Sequence, residues 1–384
     1  MRILISANVA KDIYKRKKLI KAIQNEGHSV AAFLLPDDSV QALKDLGVEV
    51  FEAKMKTRSM NPLEEYRVFK SYLRIYKEIA PDLVLTFNAK PNIYGGMSAG
   101  KLKIHLIANI TGLGKGFAAG SKVASLLKVL YKRAFKSDTH FVFFQNPDDK
   151  ALFLKEKIVD EHKSGLLPGS GVDLDFFSVG FTIGQLLPSL NNNLNFAFVG
   201  RLLLSKGLRE YIACAINIHK QYPDINFYVV GNYGEAGKDD ADFLPESELN
   251  SAIGSGAIVY KGFVGNMKEF LMEEVDCVVL PSYYREGVPR ALLEGAAMQK
   301  PLIGADSPGT REPIRDGVNG YLCKKADADD LTAKVLQFIN LSKAERKKMG
   351  QESRKIAEEE FSDEIVVERY LKQIKAVENS IATV

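Results

Sequence analysis

The chain has 384 residues, 46% hydrophobic and 26% charged; this excludes a disordered tail or a fibre and fits two domains of roughly 150–200 residues. No apolar run approaches the ~20 residues of a bilayer span, the first residues lack the features of a secretory signal, and Cys214, Cys277 and Cys323 form neither a disulfide framework nor a zinc pattern, so a cytoplasmic protein is expected. The net charge of +4 is uneven: residues 1–175 hold 28 Lys and Arg against 19 Asp and Glu, and the remainder 24 against 29.

Strands are expected over 2–6, 29–35, 48–52, 83–87, 103–108 and 140–144, with helices over 12–26 and 62–79 among them. Their apolar runs do not alternate with polar residues, which is the pattern of parallel strands buried on both faces. Residues 167–190 then gather Pro168, Gly169, Gly171, Gly180, Gly184 and Pro188, a punctuation that marks a domain boundary. The alternation restarts with strands over 195–200, 226–231, 258–261, 277–280 and 301–305 and helices over 207–220, 266–274 and 289–298. Long helices over 342–361 and 363–377 close the chain. The expected fold is α/β, two doubly wound Rossmann-like domains facing across a cleft, with ligands at the strand C-terminal ends. The boundaries are 1–170, a linker over 171–194, a second domain over 195–361 and a terminal helix segment over 362–384.

Two segments carry chemistry. In REGVPRALLEGAAMQ (285–299), Glu286 stands in a loop and Glu294 inside the helix that Pro289 opens, placing two carboxylates for two sets of sugar hydroxyls. In FVGRLLLSKG (198–207), Arg201 and Lys206 flank a loop between a strand and a helix, an arrangement suited to a diphosphate. Each segment also has a plain reading as surface charge. The five histidines, His28, His105, His140, His162 and His219, show no ligand spacing, so no metal site is expected, and His105 reads as a packing residue within its strand.

Between Asp82 and Asp138 stand nine basic residues and no acid, which points to an anionic partner. Within that interval ITGLGKGFAAG (110–120) is glycine-rich, yet it fits neither a P-loop nor a dinucleotide fingerprint. The following stretch, 121–136, reads as a basic amphipathic helix. Val123, Leu126, Leu127, Leu130, Ala134 and Phe135 form its apolar face, and Lys128, Lys132 and Lys136 recur every four residues. The expected membrane face comprises Lys122, Lys128, Lys132, Arg133, Lys136, Lys15 and Arg16, extended by Lys11, Lys17, Lys18, Lys54, Lys56 and Arg58. The basic residues lack the interleaved aromatics that stack on nucleic acid, so no nucleic-acid partner is expected.

GRLLLSKG followed by EGVPRALLE resembles the nucleotide-binding domain of the retaining GT-B glycosyltransferases of family 4, with YKGFVGNMKEFL and LPGSGVDLDFF matching further segments. The TGLG stretch is similar to that of bacterial transferases extending polyprenyl-diphosphate-linked sugars. The resemblance implies that Arg201 and Lys206 bind the donor diphosphate and Glu286 the donor sugar, with Gly287, Val288 and Pro289 assisting. It implies further that Glu294 holds the ribose, that Gly262, Phe263 and Val264 face the base, and that Thr111, Gly112, Leu113 and Gly114 line the acceptor side. It implies a UDP-sugar donor, no cofactor or obligatory metal, a retaining hexosyl or N-acetylhexosaminyl transfer, and a place on the cytoplasmic face of the inner membrane. A sugar-nucleotide 2-epimerase of the same fold and a transferase with a soluble acceptor stay open. The family's first loop often carries a Gly-Gly pair, whereas 6–12 (SANVAKD) has no glycine.

Overall fold

A computed structural model describes the chain except residues 54–60, 118–120, 137–139, 179–193, 234–240 and 384. The chain divides into two compact units, one made of Met1–Ser170 with Asp363–Val384, the other of Gly171–Ser362.

The first unit is built on β1 (Arg2–Val9), β2 (Ser29–Leu35), β3 (Glu49–Glu52), β4 (Leu83–Phe87), β5 (His105–Ile110), β6 (His140–Phe144) and β7 (Ser164–Leu166). Among the described residues these form one parallel sheet in the order β3-β2-β1-β4-β5-β6-β7. Alternate residues serve opposite faces. Leu4, Ala31 and Phe33 pack under the helix Pro62–Ile79 with its Tyr72, Ile75 and Tyr76. Ile3, Ile5, Ala32 and Leu34 pack under the helices Lys17–Asn25 and Asp363–Ala382, the latter through Val366, Tyr370 and Ile374. Both faces are therefore apolar, which is why these strands show no polar alternation.

The helix expected over 12–26 is two, Ala10–Tyr14 and Lys17–Asn25. It breaks at Lys15 and Arg16, where Arg16 stacks its guanidinium 3.9 Å above the Phe87 ring. The loop expected over 6–12 is absent, because β1 runs on to Val9 and the first helix starts at Ala10. After β4 the chain makes a π-helical turn, Pro91–Gly95, that local pattern does not reveal. It is held by Asn92, which accepts from Thr86 Oγ1 (2.7 Å) and donates to the Asn109 carbonyl (2.8 Å).

The second unit holds β8 (Asn195–Val199), β9 (Asn226–Val230), β10 (Val259–Gly262), β11 (Cys277–Leu280), β12 (Leu302–Ala305) and β13 (Gly320–Cys323). The order is β10-β9-β8-β11-β12-β13, again parallel. β7, of three residues, and β13, of four, were not expected. Phe196, Phe198, Val278 and Val279 lie in the core of this unit with Tyr211, Leu293 and Phe338.

Candidate active site

In the second unit the strand order reverses between β8 and β11, neighbours in the sheet but far apart in sequence. The loops that follow such a pair diverge and leave a crevice at the strand C-terminal ends. Those two loops are the segments singled out from the sequence. Their backbones are stapled together, with the Ser205 carbonyl accepting the amides of Tyr283 (3.0 Å) and Tyr284 (2.8 Å). Gly207 makes the approach possible. It has φ +75°, and a Cβ there would stand 2.2 Å from the Pro281 carbonyl oxygen.

At the centre Lys206 Nζ lies 3.3 Å from each oxygen of the Glu286 carboxylate, and Ser282 Oγ donates to Glu286 Oε1 at 2.8 Å. The Lys206 and Glu286 side chains are 13% and 15% exposed, so this ion pair is largely removed from water. A charge pair so placed is costly to break from one side, because the remaining charge stays desolvated. Arg201 is exposed at the rim, its guanidinium 5.9 Å from the centroid of the Tyr284 ring.

The helix expected over 289–298 runs Arg290–Ala297, with Pro289 as its cap. The amides of Leu292 (3.1 Å) and Leu293 (3.3 Å) donate to the Pro289 carbonyl, and those of Arg290 and Ala291 open the helix without an intrahelical acceptor. Glu294 is partnered within the helix, Oε1 accepting from Arg290 Nε (3.1 Å) and Nη2 (2.9 Å). A third loop, after β12, supports this floor. Ser307 Oγ (2.5 Å) and Thr310 Oγ1 (3.2 Å) donate to the Ser282 carbonyl, and Gly309, at φ +84°, lies against the Gly287 carbonyl. Val288 is buried; Gly262 ends β10 at φ +63°, Phe263 is 71% exposed and Val264 packs on the core.

Several participants escaped the sequence reading. Asp242, buried, accepts from the Ser205 amide (3.1 Å) and hydroxyl, and so braces the loop after β8. Glu210 sits on the helix Leu208–His219 with burial raising its carboxyl above the usual range, and its Oε2 has no hydrogen-bond partner. Burial, with the charges of Glu210 and Asp242, raises the Tyr283 hydroxyl. Among the described residues no three of His, Cys, Asp or Glu gather as a metal-binding group.

In the first unit, Thr111, Gly112, Leu113 and Gly114 follow β5 at its C-terminal end, with Gly112 and Gly114 at φ +109° and +55°. His105 stands at the opposite end of that strand. Past β4, Glu65 accepts from Lys90 Nζ and Tyr94 Oη, both at 2.6 Å. The helix expected over 121–136 runs Lys122–Ala134, capped by Ser121. It buries Ala124, Tyr131 and Ala134 and leaves Val123, Leu126 and Val129 exposed beside Lys122, Lys132, Arg133 and Lys136. Val123 and Leu126 thus lie on the solvent face, apart from Ala134 and Phe135, which are buried, so the expected apolar face is divided in two. Lys128 turns to Glu156 at 2.7 Å, and Arg16 lies over Phe87, so neither belongs to that exposed face. Lys54, Lys56 and Arg58 lie outside the described residues.

Two parallel doubly wound units make the fold of the GT-B glycosyltransferases, with the Lys206–Glu286 pair at the switch point of the second. The model for glycosyl transferases group 1 matches residues 187–356 and that for glycosyl transferase 4-like proteins matches 2–146, and the chain belongs to these glycosyltransferases. It is 27% identical, over 97% of its length and 98% of the relative's, to the N,N'-diacetylbacillosaminyl-diphospho-undecaprenol alpha-1,3-N-acetylgalactosaminyltransferase of Campylobacter jejuni. It is 26% identical to the Escherichia coli UDP-Gal:alpha-D-GlcNAc-diphosphoundecaprenol alpha-1,3-galactosyltransferase, over 76% of this chain and 73% of that one. Similar solved structures include a Rickettsia africae glycosyltransferase (TM-score 0.77, 18% identity, 98% of each chain). Another is Anabaena HepE in complex with UDP-glucose (TM-score 0.76, 15% identity, 98% of this chain and 100% of that one).

Proposed function

We propose that the enzyme transfers a hexose or N-acetylhexosamine, galactose or N-acetylgalactosamine first among them, from a UDP-sugar to a polyprenyl-diphosphate-linked sugar, with retention of configuration. The observation that carries this reading is the meeting of Lys206 and Glu286 at the β8/β11 crevice. The two relatives whose names specify transfer to undecaprenyl-diphosphate-linked sugars support the acceptor class.

In this reading the donor diphosphate enters between Arg201, Lys206 and the amides of Gly287 and Val288, and the sugar lies over Glu286. Lys206 then exchanges a wholly carboxylate environment for one shared with phosphate oxygens. As the glycosidic bond breaks, negative charge grows on the diphosphate, and Lys206, already fixed and largely removed from water, stabilises it while Arg201 closes on it from the rim. Glu286, held by Ser282, keeps an acceptor oxygen for the sugar hydroxyls. Glu294 turns its second oxygen to the ribose while Arg290 holds the first, and the Gly262, Phe263 and Val264 backbone meets the base. The acceptor hydroxyl attacks from the leaving-group side and a diphosphate oxygen takes its proton. Charge neutralisation rests on Arg201 and Lys206, without a metal.

The reading places the first unit at an anionic inner-membrane surface. Val123, Leu126 and Val129 stand exposed among Lys122, Lys132, Arg133 and Lys136, a combination suited to lipid headgroups over acyl chains. No helix among the described residues is long and apolar enough to cross a membrane.

The test is a donor screen with purified protein, a panel of UDP-, GDP- and ADP-sugars, bacterial lipid extract and mass spectrometry. The expected result is one lipid-linked species gaining one sugar from a UDP donor. Free sugar or an isomerised nucleotide sugar with no lipid product would overturn the reading in favour of the epimerase.

A further inference from the structure

The helix Pro62–Ile79 turns Val68, Tyr72, Ile75, Tyr76 and Ile79 into the core of the first unit. At 3.6 residues per turn, Leu63, Tyr66, Arg67, Lys70, Arg74 and Lys77 fall within an arc of about 100° on the opposite side. All six are exposed, Leu63 at 70% and Tyr66 at 57%. Lys70 reaches back over the Tyr66 ring at 5.5 Å, and among the described residues none of the four cations makes an ion pair. Of the helix's acids only Glu78, in the last turn, is exposed; Glu65 is engaged with Lys90 and Tyr94.

Solvation accounts for a basic face but not for apolar residues set within it. Seven large apolar side chains are exposed among the described residues of the first unit, and five of them stand on just two helices. These are Leu63 and Tyr66 here, and Val123, Leu126 and Val129 on Lys122–Ala134. The two helices cover one face of the sheet, since Val68 and Tyr72 lie in the same core as Tyr131 and Ala134. They follow β3 and β5 of a parallel sheet, so both start at the strand C-terminal ends, and both pack against the π-helical turn Pro91–Gly95. The exposed apolar residues, all in the opening turns, therefore lie toward one end of one face, with basic side chains around and beyond them.

We propose that the helix Pro62–Ile79 is a second membrane-contacting element. Arg67, Lys70, Arg74 and Lys77 meet anionic lipid headgroups, and Leu63 and Tyr66 sit at the boundary with the acyl chains. The inference deepens the proposed function and rests on its membrane surface for the partner. An anionic bilayer suits both halves of the face at once: its phosphates answer cations that have no acid of their own, and a tyrosine, with an apolar ring and a polar tip, belongs at such an interface. One helix at a surface leaves the unit free to roll about the helix axis. Two on the same face define a plane, which sets the height of the turn Thr111–Gly114 above the headgroups that carry a lipid-linked acceptor.

Because the chain contains no tryptophan, Tyr66→Trp and Leu126→Trp each give the full-length protein a single reporter. Both are titrated with vesicles of phosphatidylethanolamine and phosphatidylglycerol. In each, emission is expected to move to the blue and to be quenched by lipids brominated in the acyl chains. A response from Leu126→Trp without one from Tyr66→Trp overturns the inference and leaves the other helix at the membrane. Silence from both overturns the membrane reading as well. Arg67→Gln with Arg74→Gln is expected to weaken flotation with these vesicles about tenfold or more and to reduce its salt dependence. Lys372→Gln with Lys375→Gln removes the same charge from the exposed side of the helix on the opposite face of the sheet, and is expected to stay within about twofold of wild type. Equal losses from the two pairs would make the effect one of net charge and overturn the inference. So would a wild type that dimerises without vesicles and loses the dimer in the Arg67, Arg74 variant, since the face would then meet a second copy. None of these readouts needs turnover, so failure of the proposed transfer would show separately, in the donor screen.

Discussion

Replacing Gly207 by alanine tests whether the loops after β8 and β11 must touch. A Cβ at this residue would stand 2.2 Å from the Pro281 carbonyl oxygen, where ordinary contact begins at 3.4 Å, so the loops must part by roughly 1 Å. The left-handed φ of +75° adds about 1–2 kcal/mol of backbone strain for a residue bearing a Cβ. Pro281 leads directly into Ser282 and on to Glu286, while Gly207 follows Lys206, so the shift acts on the Lys206–Glu286 pair from both sides. A misplacement of this size costs about 100-fold in rate, or about 2.7 kcal/mol of transition-state stabilisation. The assay is kcat/KM for the proposed UDP-sugar donor, read as UDP release, alongside thermal denaturation. Gly207→Asn, which tolerates the left-handed backbone but still carries a Cβ, is expected to lose activity on the same scale. Gly254→Ala, with nothing within 4 Å of its new methyl, is expected to stay within about twofold of wild type. A Gly207→Ala enzyme with kcat/KM within about threefold of wild type would refute the reasoning.

Lys206→Ala and Glu286→Ala are each expected to lower kcat by about 10²–10³, measured as lipid-linked product under saturating donor, and turnover near wild type from either removes the site assignment. Leu126→Ser with Val129→Ser, and separately Lys132→Glu with Arg133→Glu, should reduce binding to anionic vesicles about tenfold or more in a flotation assay while soluble-acceptor activity is kept. Lys128→Glu should instead lower the melting temperature, since it faces Glu156 at 2.7 Å; undiminished vesicle binding by both double variants would sink the membrane face. Lys300 is buried, and desolvation, opposed by the charge of Asp276, pulls its ammonium down to about 8. Above that pH the unfolded chain keeps a proton that the folded chain has released, so stability should rise from pH about 8 toward the ordinary lysine value near 10.4. Lys300→Met should flatten this rise in urea midpoints, and equal slopes for the two proteins would contradict it.

What was legible in the sequence was what is local. Arg201, Lys206, Glu286 and Glu294 stand in short segments whose glycines, proline and spacing announce a strand, a loop and a helix start. Less legible were features made by distant partners. Asp242 reads as one acid in an acidic stretch until the fold brings it to Ser205, and Lys128 reads as surface until Glu156 meets it. The break at Lys15 and Arg16 has no local signal, since lysine and arginine favour helix, and it accompanies the stacking of Arg16 on Phe87. The helix Lys122–Ala134 shows the limit of periodicity. It carries two apolar stripes, and spacing alone does not say that Ala124, Tyr131 and Ala134 pack inward while Val123, Leu126 and Val129 face out.

The helix Asp363–Ala382 also sets an order on synthesis. Its Val366, Tyr370 and Ile374 complete the core beneath Ile3 and Ile5, which the helix Lys17–Asn25 covers only in part, so this face of β1 waits for a segment made after the second unit. Gly171–Ser362, continuous in sequence, is in a position to fold before the unit that precedes it. Chains that stop short of residue 363 would therefore carry a finished second unit while the first still exposes the apolar residues that Val366, Tyr370 and Ile374 cover. They would be species for chaperones and proteases to handle.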